Sequence, residues 1–155
     1  MHSFANPTRF LKLNKAIQPW AAGVCILTFA LGLYFALFAS PSDYQQSETV
    51  RIMYVHVPAA WMAIICYTAL ALASASALIW RHIVANIVAK ATAPIGSAFT
   101  LLALVTGSLW GKPIWGTWWV WDARLTSVLI LFFLYLGYMA TVSYTHLTLP
   151  TIYSV

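Results

Sequence analysis

The sequence predicts an all-α, polytopic integral membrane helix bundle, and three observations carry that prediction. Hydrophobic residues make up 62% of the 155 and charged ones 7%, against about 25% charged in an ordinary soluble domain. Four apolar runs, at 20–39, 57–80, 91–110 and 125–141, are each long enough for, or close to, a bilayer crossing. The basic residues gather in the segments that precede and join these runs. A chain so poor in charge has no means of covering a water-facing surface, and four such runs have no soluble core to hide in. The net charge of +5 therefore belongs to flanks that touch membrane lipid, not to a nucleic-acid face.

Residues 1–19 carry Arg9, Lys12 and Lys15 and no acid, and read as a cytoplasmic segment. The run 20–39 exceeds the roughly 7–15 residues of a signal-peptide core, which favours a retained helix. Asp43, Glu48 and Arg51 mark an external loop before the second run. Pro58 stands near the predicted first helical position, where its missing N–H costs nothing. Arg81, His82 and Lys90 bracket a short connection to the third run, and residues 111–124 form a second external loop. After Thr141 the aliphatic pattern gives way to Thr, Ser, Tyr and a Pro. Residues 142–155 therefore read as a non-native tail, left out of functional reasoning.

With the N-terminus inside, Arg9, Lys12, Lys15, Arg81 and Lys90 face the cytoplasm, while Arg51, Lys112 and Arg124 face outward. That imbalance obeys the positive-inside rule. It also puts His56 and the second loop on one side of the membrane.

The loop is the densest feature of the chain: Trp115-Gly116-Thr117-Trp118-Trp119-Val120-Trp121-Asp122. Read as a helix, Trp115, Trp118, Trp119 and Asp122 fall at i, i+3, i+4 and i+7 and share a face, with Trp121 off it. An interfacial belt accounts for one or two indoles at a helix end, and Trp20, Trp80 and Trp110 are belt residues by position. A denser cluster suits a binding floor for a large, flat, amphipathic ligand, and porphyrin fits that description. His56, at the predicted mouth of the second helix, is either a solvated interfacial histidine or an axial donor to haem iron. Trp61 lies about one turn further in. Asp122 suits a helix N-cap as well as a site. Arg124 suits either a snorkelling anchor or a partner for a ligand carboxylate.

Other chemistry is not signalled. Cys25 and Cys66 sit in apolar runs as small hydrophobes, and no Cys-x-x-Cys-His is present for covalent haem attachment. His2 and His82 lie in basic loops and His146 in the tail. No nucleophile–base pair, metal-spaced carboxylate set or phosphate loop occurs, so a bond-making enzyme is not expected.

The segment from Trp115 to Ser127 resembles the tryptophan-rich WWD signature of haem-handling membrane proteins, and Arg51-Ile52-Met53-Tyr54-Val55-His56-Val57-Pro58-Ala59-Ala60-Trp61 resembles the stretch carrying their first haem histidine. Together they resemble the haem exporter protein C (cytochrome c maturation protein C) family over about residues 10–141. The resemblance implies six transmembrane helices in a full member, of which four are present here. It implies non-covalent haem b held at the periplasmic face of the bacterial inner membrane and presented to a periplasmic haem chaperone. ABC-type transporter subunits and a small membrane partner would work alongside. His56 matches the first axial ligand to the iron, and Trp115, Trp118, Trp119, Trp121 and Asp122 match the platform. The external loop that would bring a second histidine follows the fourth helix and is absent. The alternative is a membrane b-type cytochrome passing electrons to quinone, which the reading disfavours for want of a histidine inside a predicted helix.

Overall fold

The computed structural model describes residues 7–81 and 83–147. His2, His82 and residues 148–155 of the predicted tail lie outside the described residues. Helices α1 (Pro7–Tyr34), α2 (Val50–Trp80), α3 (Ile83–Trp115) and α4 (Ala123–Leu147) account for nearly all of it. Four helical spans are long and apolar enough to cross a membrane: Leu11–Ala39, which runs through α1 into the π-helical turn Phe35–Ala39, then Val50–Trp80, Val84–Trp115 and Ala123–Val142. The predicted class holds, an all-helical multi-pass membrane protein with four candidate crossings.

The helices outrun the apolar runs that predict them. Hydropathy marks what sits in hydrocarbon, whereas a helix continues into the headgroup layers wherever its backbone remains bonded. At 31 residues, α2 is roughly 46 Å long, about 15 Å more than the hydrocarbon core is thick. Pro58 is consequently an interior residue of α2 and not one of its first. Lys90 lies inside α3, leaving Arg81, with φ 51°, at the turn. α4 runs through residues 142–147, because no Gly or Pro interrupts that stretch.

The described residues up to 41 and those from 42 onward form two compact units. The first is α1 and the π-helical turn Phe35–Ala39 that continues it. In the second, α2 and α4 each pack on α3 and, among the described residues, not on one another. The seam between α2 and α3 is built from small side chains. Ala59, Ala63 and Cys66 of α2 are buried, as are Ala89, Ala93, Ser97, Thr100 and Ala103 of α3. Large apolar residues such as Leu72, Leu78, Ile87, Ile95 and Phe133 face outward. A soluble protein would reverse that arrangement; in lipid, small residues let backbones approach and large ones meet acyl chains. α4 is keyed to α3 by Tyr135, whose ring and hydroxyl fill the place a side chain at Gly96 would need.

Ahead of α2, the Asp43 carboxylate closes a tight turn by accepting the Gln45 and Gln46 amides, each at 2.8 Å. Those two bonds, the Gln46 one foremost, hold its pKa below the ordinary carboxyl value. The turn places Gln46 to accept the Trp110 indole N–H at 3.0 Å, tying the loop to the end of α3.

Candidate functional site

α3 stops at Trp115 because Gly116 takes the left-handed conformation, φ 76°, and its amide closes on the Lys112 carbonyl at 3.0 Å. Residues 116–122 are not helical. The expected four-residue helical face of Trp115, Trp118, Trp119 and Asp122 is therefore not formed. α4 starts at Ala123, and Asp122 is its N-cap: its carboxylate accepts the Leu125 amide at 2.7 Å. That bond, with the Arg124 guanidinium 3.1 Å from the other oxygen, lowers the Asp122 pKa.

Between α2 and α4, each packed on α3, lies a cavity of about 440 Å³, within the usual range of ligand sites. Met53, His56, Ala60 and Ile64 of α2 form one wall, Arg124, Leu125, Val128 and Leu131 of α4 the other. Ala103, Leu104, Gly107, Trp110 and Trp115 of α3 form the floor. His56 stands in the second turn of α2, within the helix and not at its mouth. Its Nδ1 lies 3.0 Å from Thr106 Oγ1, and its ring lies against the bare backbone of Gly107, where a Cβ would come within 3.1 Å. Trp110 and Trp115 meet edge to face at 5.3 Å, and the Arg124 guanidinium sits 5.4 Å from the Trp115 ring centre.

Of the residues singled out from sequence, His56, Trp115 and Arg124 thus come together around one cavity. The others do not line it. Trp118 stands beside Lys112, whose ammonium is 5.8 Å from its ring centre. Trp119 lines a separate, open groove with Leu101, Leu109, Phe132 and Phe133. Trp121 packs edge to face on Trp119 at 5.6 Å and is otherwise exposed. Trp61 faces outward from α2. Asp122 acts on the site through Arg124, which it holds at the rim.

Trp110 was expected to be a belt residue and is part of the cavity floor. Thr106 and Gly107 carried no expectation at all. Helical spacing marks them: Ala103, Thr106, Gly107 and Trp110 fall at i, i+3, i+4 and i+7 on α3. Met53, His56 and Ala60 fall at i, i+3 and i+7 on α2, straddling the start of the apolar run at residue 57. His146 belongs to α4, and its side chain lies outside the description.

The family profile for heme exporter protein C (CcmC) matches residues 1–147. Among similar proteins, the heme exporter protein C of Bradyrhizobium diazoefficiens is 57% identical over 136 residues, covering 88% of this chain and 51% of that protein. The Escherichia coli K12 protein of the same name is 46% identical over 140 residues, 90% of this chain and 57% of its own length. A putative cytochrome c biosynthesis ccmC-like mitochondrial protein of Marchantia polymorpha is 55% identical over 115 residues, 74% of this chain and 50% of its own. The chain spans about half the length of the curated relatives it matches. A profile match of that extent, with relatives near half identical along most of the chain, leads to one conclusion: this multi-pass membrane protein belongs to the heme exporter protein C family.

Proposed function

We propose that this chain holds haem for export in c-type cytochrome assembly, with the cavity opening at the periplasmic face of the bacterial cytoplasmic membrane. One observation carries the reading: a single cavity gathers an imidazole, a guanidinium and two indoles in an otherwise aliphatic lining. Haem is a flat apolar macrocycle with a metal that needs an axial donor and two carboxylates that need a cation. His56 is the donor to iron. Arg124 pairs with a propionate, for which its planar fork is suited. Trp110, Trp115 and the aliphatic residues cover the macrocycle and exclude water. Among the described residues the cavity lining includes no cysteine to form a thioether with a haem vinyl group, so the haem would stay haem b and be free to leave, which suits a carrier. Names of the relatives support export and cytochrome c biosynthesis as the context. Delivery to a periplasmic haem chaperone, with ABC-type subunits and a small membrane protein as partners, completes the proposal.

Among the described residues the cavity lining includes one imidazole, His56. Haem held here by this chain should take up added imidazole or carbon monoxide. The test is haem titration of the purified chain in micelles, followed by the Soret band. His56→Ala is expected to abolish stable binding. Equal haem occupancy in wild type and His56→Ala defeats the assignment.

A further inference from the structure

We infer that Thr106 is a positioning residue that fixes the tautomer of His56, leaving Nε2 bare towards the cavity; the inference rests on the haem reading of that cavity and specifies how the ligand is prepared.

The argument is a count of protons. Thr106 Oγ1 lies 2.7 Å from the Leu102 carbonyl oxygen and 3.3 Å from that of Ala103. Carbonyls only accept, so the single hydroxyl proton is committed to them, Leu102 foremost. Towards His56 the hydroxyl offers a lone pair. The 3.0 Å contact from Nδ1 is then a hydrogen bond only if Nδ1 carries the proton and donates it. Both lengths agree with this direction, since about 2.7–2.8 Å is usual for O–H···O and about 2.9–3.0 Å for N–H···O. Neutral imidazole has one N–H, so Nε2 is left with its lone pair. The reverse arrangement would turn the hydroxyl away from both carbonyls and put an N–H at Nε2, where no metal can bind.

Position supports the same conclusion. Thr106 is buried, so water does not compete for its oxygen as it would at a surface. Gly107 lets the ring come close enough to α3 for Nδ1 to reach that oxygen, since a side chain there would meet His56 Cε1 at 3.1 Å. A metal-ligating histidine ordinarily gives its second N–H to such an outer partner, which orients the ring and raises its basicity. Here that partner is a hydroxyl borrowed from the neighbouring helix.

The experiment uses the haem-free chain in micelles at pH 8, with ¹⁵N-labelled histidine and His56 assigned by its loss in His56→Ala. Wild type is expected to show Nδ1 protonated and Nε2 bare. Thr106→Val, equal in shape but without an acceptor, should shift His56 towards the Nε2–H form and weaken haem affinity by roughly ten- to a hundredfold. Thr106→Ser should restore both, which a packing role for the threonine methyl would not. A wild-type signal with Nε2 protonated, or a Thr106→Val chain with unchanged tautomer and affinity, overturns the inference. If the tautomer responds as expected but haem binding ignores His56, the haem reading fails and takes the ligand-preparing role with it; the intact Nδ1–H signal identifies which step was wrong.

Discussion

Two pairs of indoles flank Gly116, and they do different work. Trp110 with Trp115 and Trp119 with Trp121 have nearly the same internal geometry, edge to face at 5.3 and 5.6 Å. Their surroundings differ. The first pair faces His56 across a cavity, with the Trp110 N–H bonded to Gln46 and a guanidinium beside Trp115. In the second, Trp119 lies in an open apolar groove and Trp121 is 76% exposed. Ring–ring contact is worth the same to both, so it does not decide function. The left-handed turn at Gly116 does, because it ends the helix between the pairs and sends the later indoles to other surroundings. The tryptophans around Gly116 thus divide into two sets, one in the cavity floor and one outside the cavity.

The comparison breaks if both pairs serve haem equally. Trp110→Ala with Trp115→Ala is expected to weaken haem retention by roughly 1–3 kcal/mol for two rings, about five- to a hundredfold. Trp119→Ala with Trp121→Ala should leave retention nearly unchanged. Titration of each double variant with haem measures both. Equal losses would mean that the two pairs do not differ in what they contribute to haem retention.

A smaller effect sharpens the same contrast. α3 carries two notches one turn apart, Gly107 under His56 and Gly111 under Trp115, where a Cβ would lie 3.1 and 3.2 Å from the respective rings. Gly107→Ala and Gly111→Ala should each push a ring by a few tenths of an ångström and cost haem binding about 1 kcal/mol, the low end for overpacking. Gly137→Ala, which meets nothing within 4 Å, should leave binding as it is and hold α4 slightly better. If all three behave alike, the notches do not seat the site.

Why were the helices and three of the site residues legible in the sequence, and the rest not? Hydropathy reports solvent, and four runs in a charge-poor chain leave one architecture. His56 and Arg124 stand out because polar groups beside apolar runs are few. Trp110 was misjudged because an indole at a helix end satisfies a belt as readily as a pocket, and composition does not distinguish them. Reading 115–122 as a helix failed at Gly116, whose left-handed φ offsets the periodicity of everything after it. Thr106 and Gly107 were invisible for a different reason. A threonine and a glycine in a membrane helix are ordinary packing residues, and their role depends on a ring brought from α2. Extending the second helix back through residue 50 would have put Met53, His56 and Ala60 on one face and suggested the wall.

The smallest effect concerns Asp122, which belongs to neither pair but holds the Arg124 beside Trp115. Its carboxylate accepts the Leu125 amide and pairs with Arg124, so its pKa is lowered in the folded chain. For a group with a depressed folded pKa, the stabilisation is fully present above the unfolded value, about 3.9, and is lost as pH falls through the folded one. The start of α4 should therefore be indifferent to pH from 7 down to about 5 and loosen only in stronger acid. The Leu125 amide shift in the haem-free chain reports this directly, with a midpoint expected below 3.8, the ordinary carboxyl value. Asp122→Asn keeps an N-cap but not the charge. It should flatten that titration, free the guanidinium, and change haem retention by less than about tenfold, the scale of one cap. A Leu125 midpoint at or above the ordinary value would mean that the carboxylate does not hold this helix end, and the rim position of Arg124 would then need another cause.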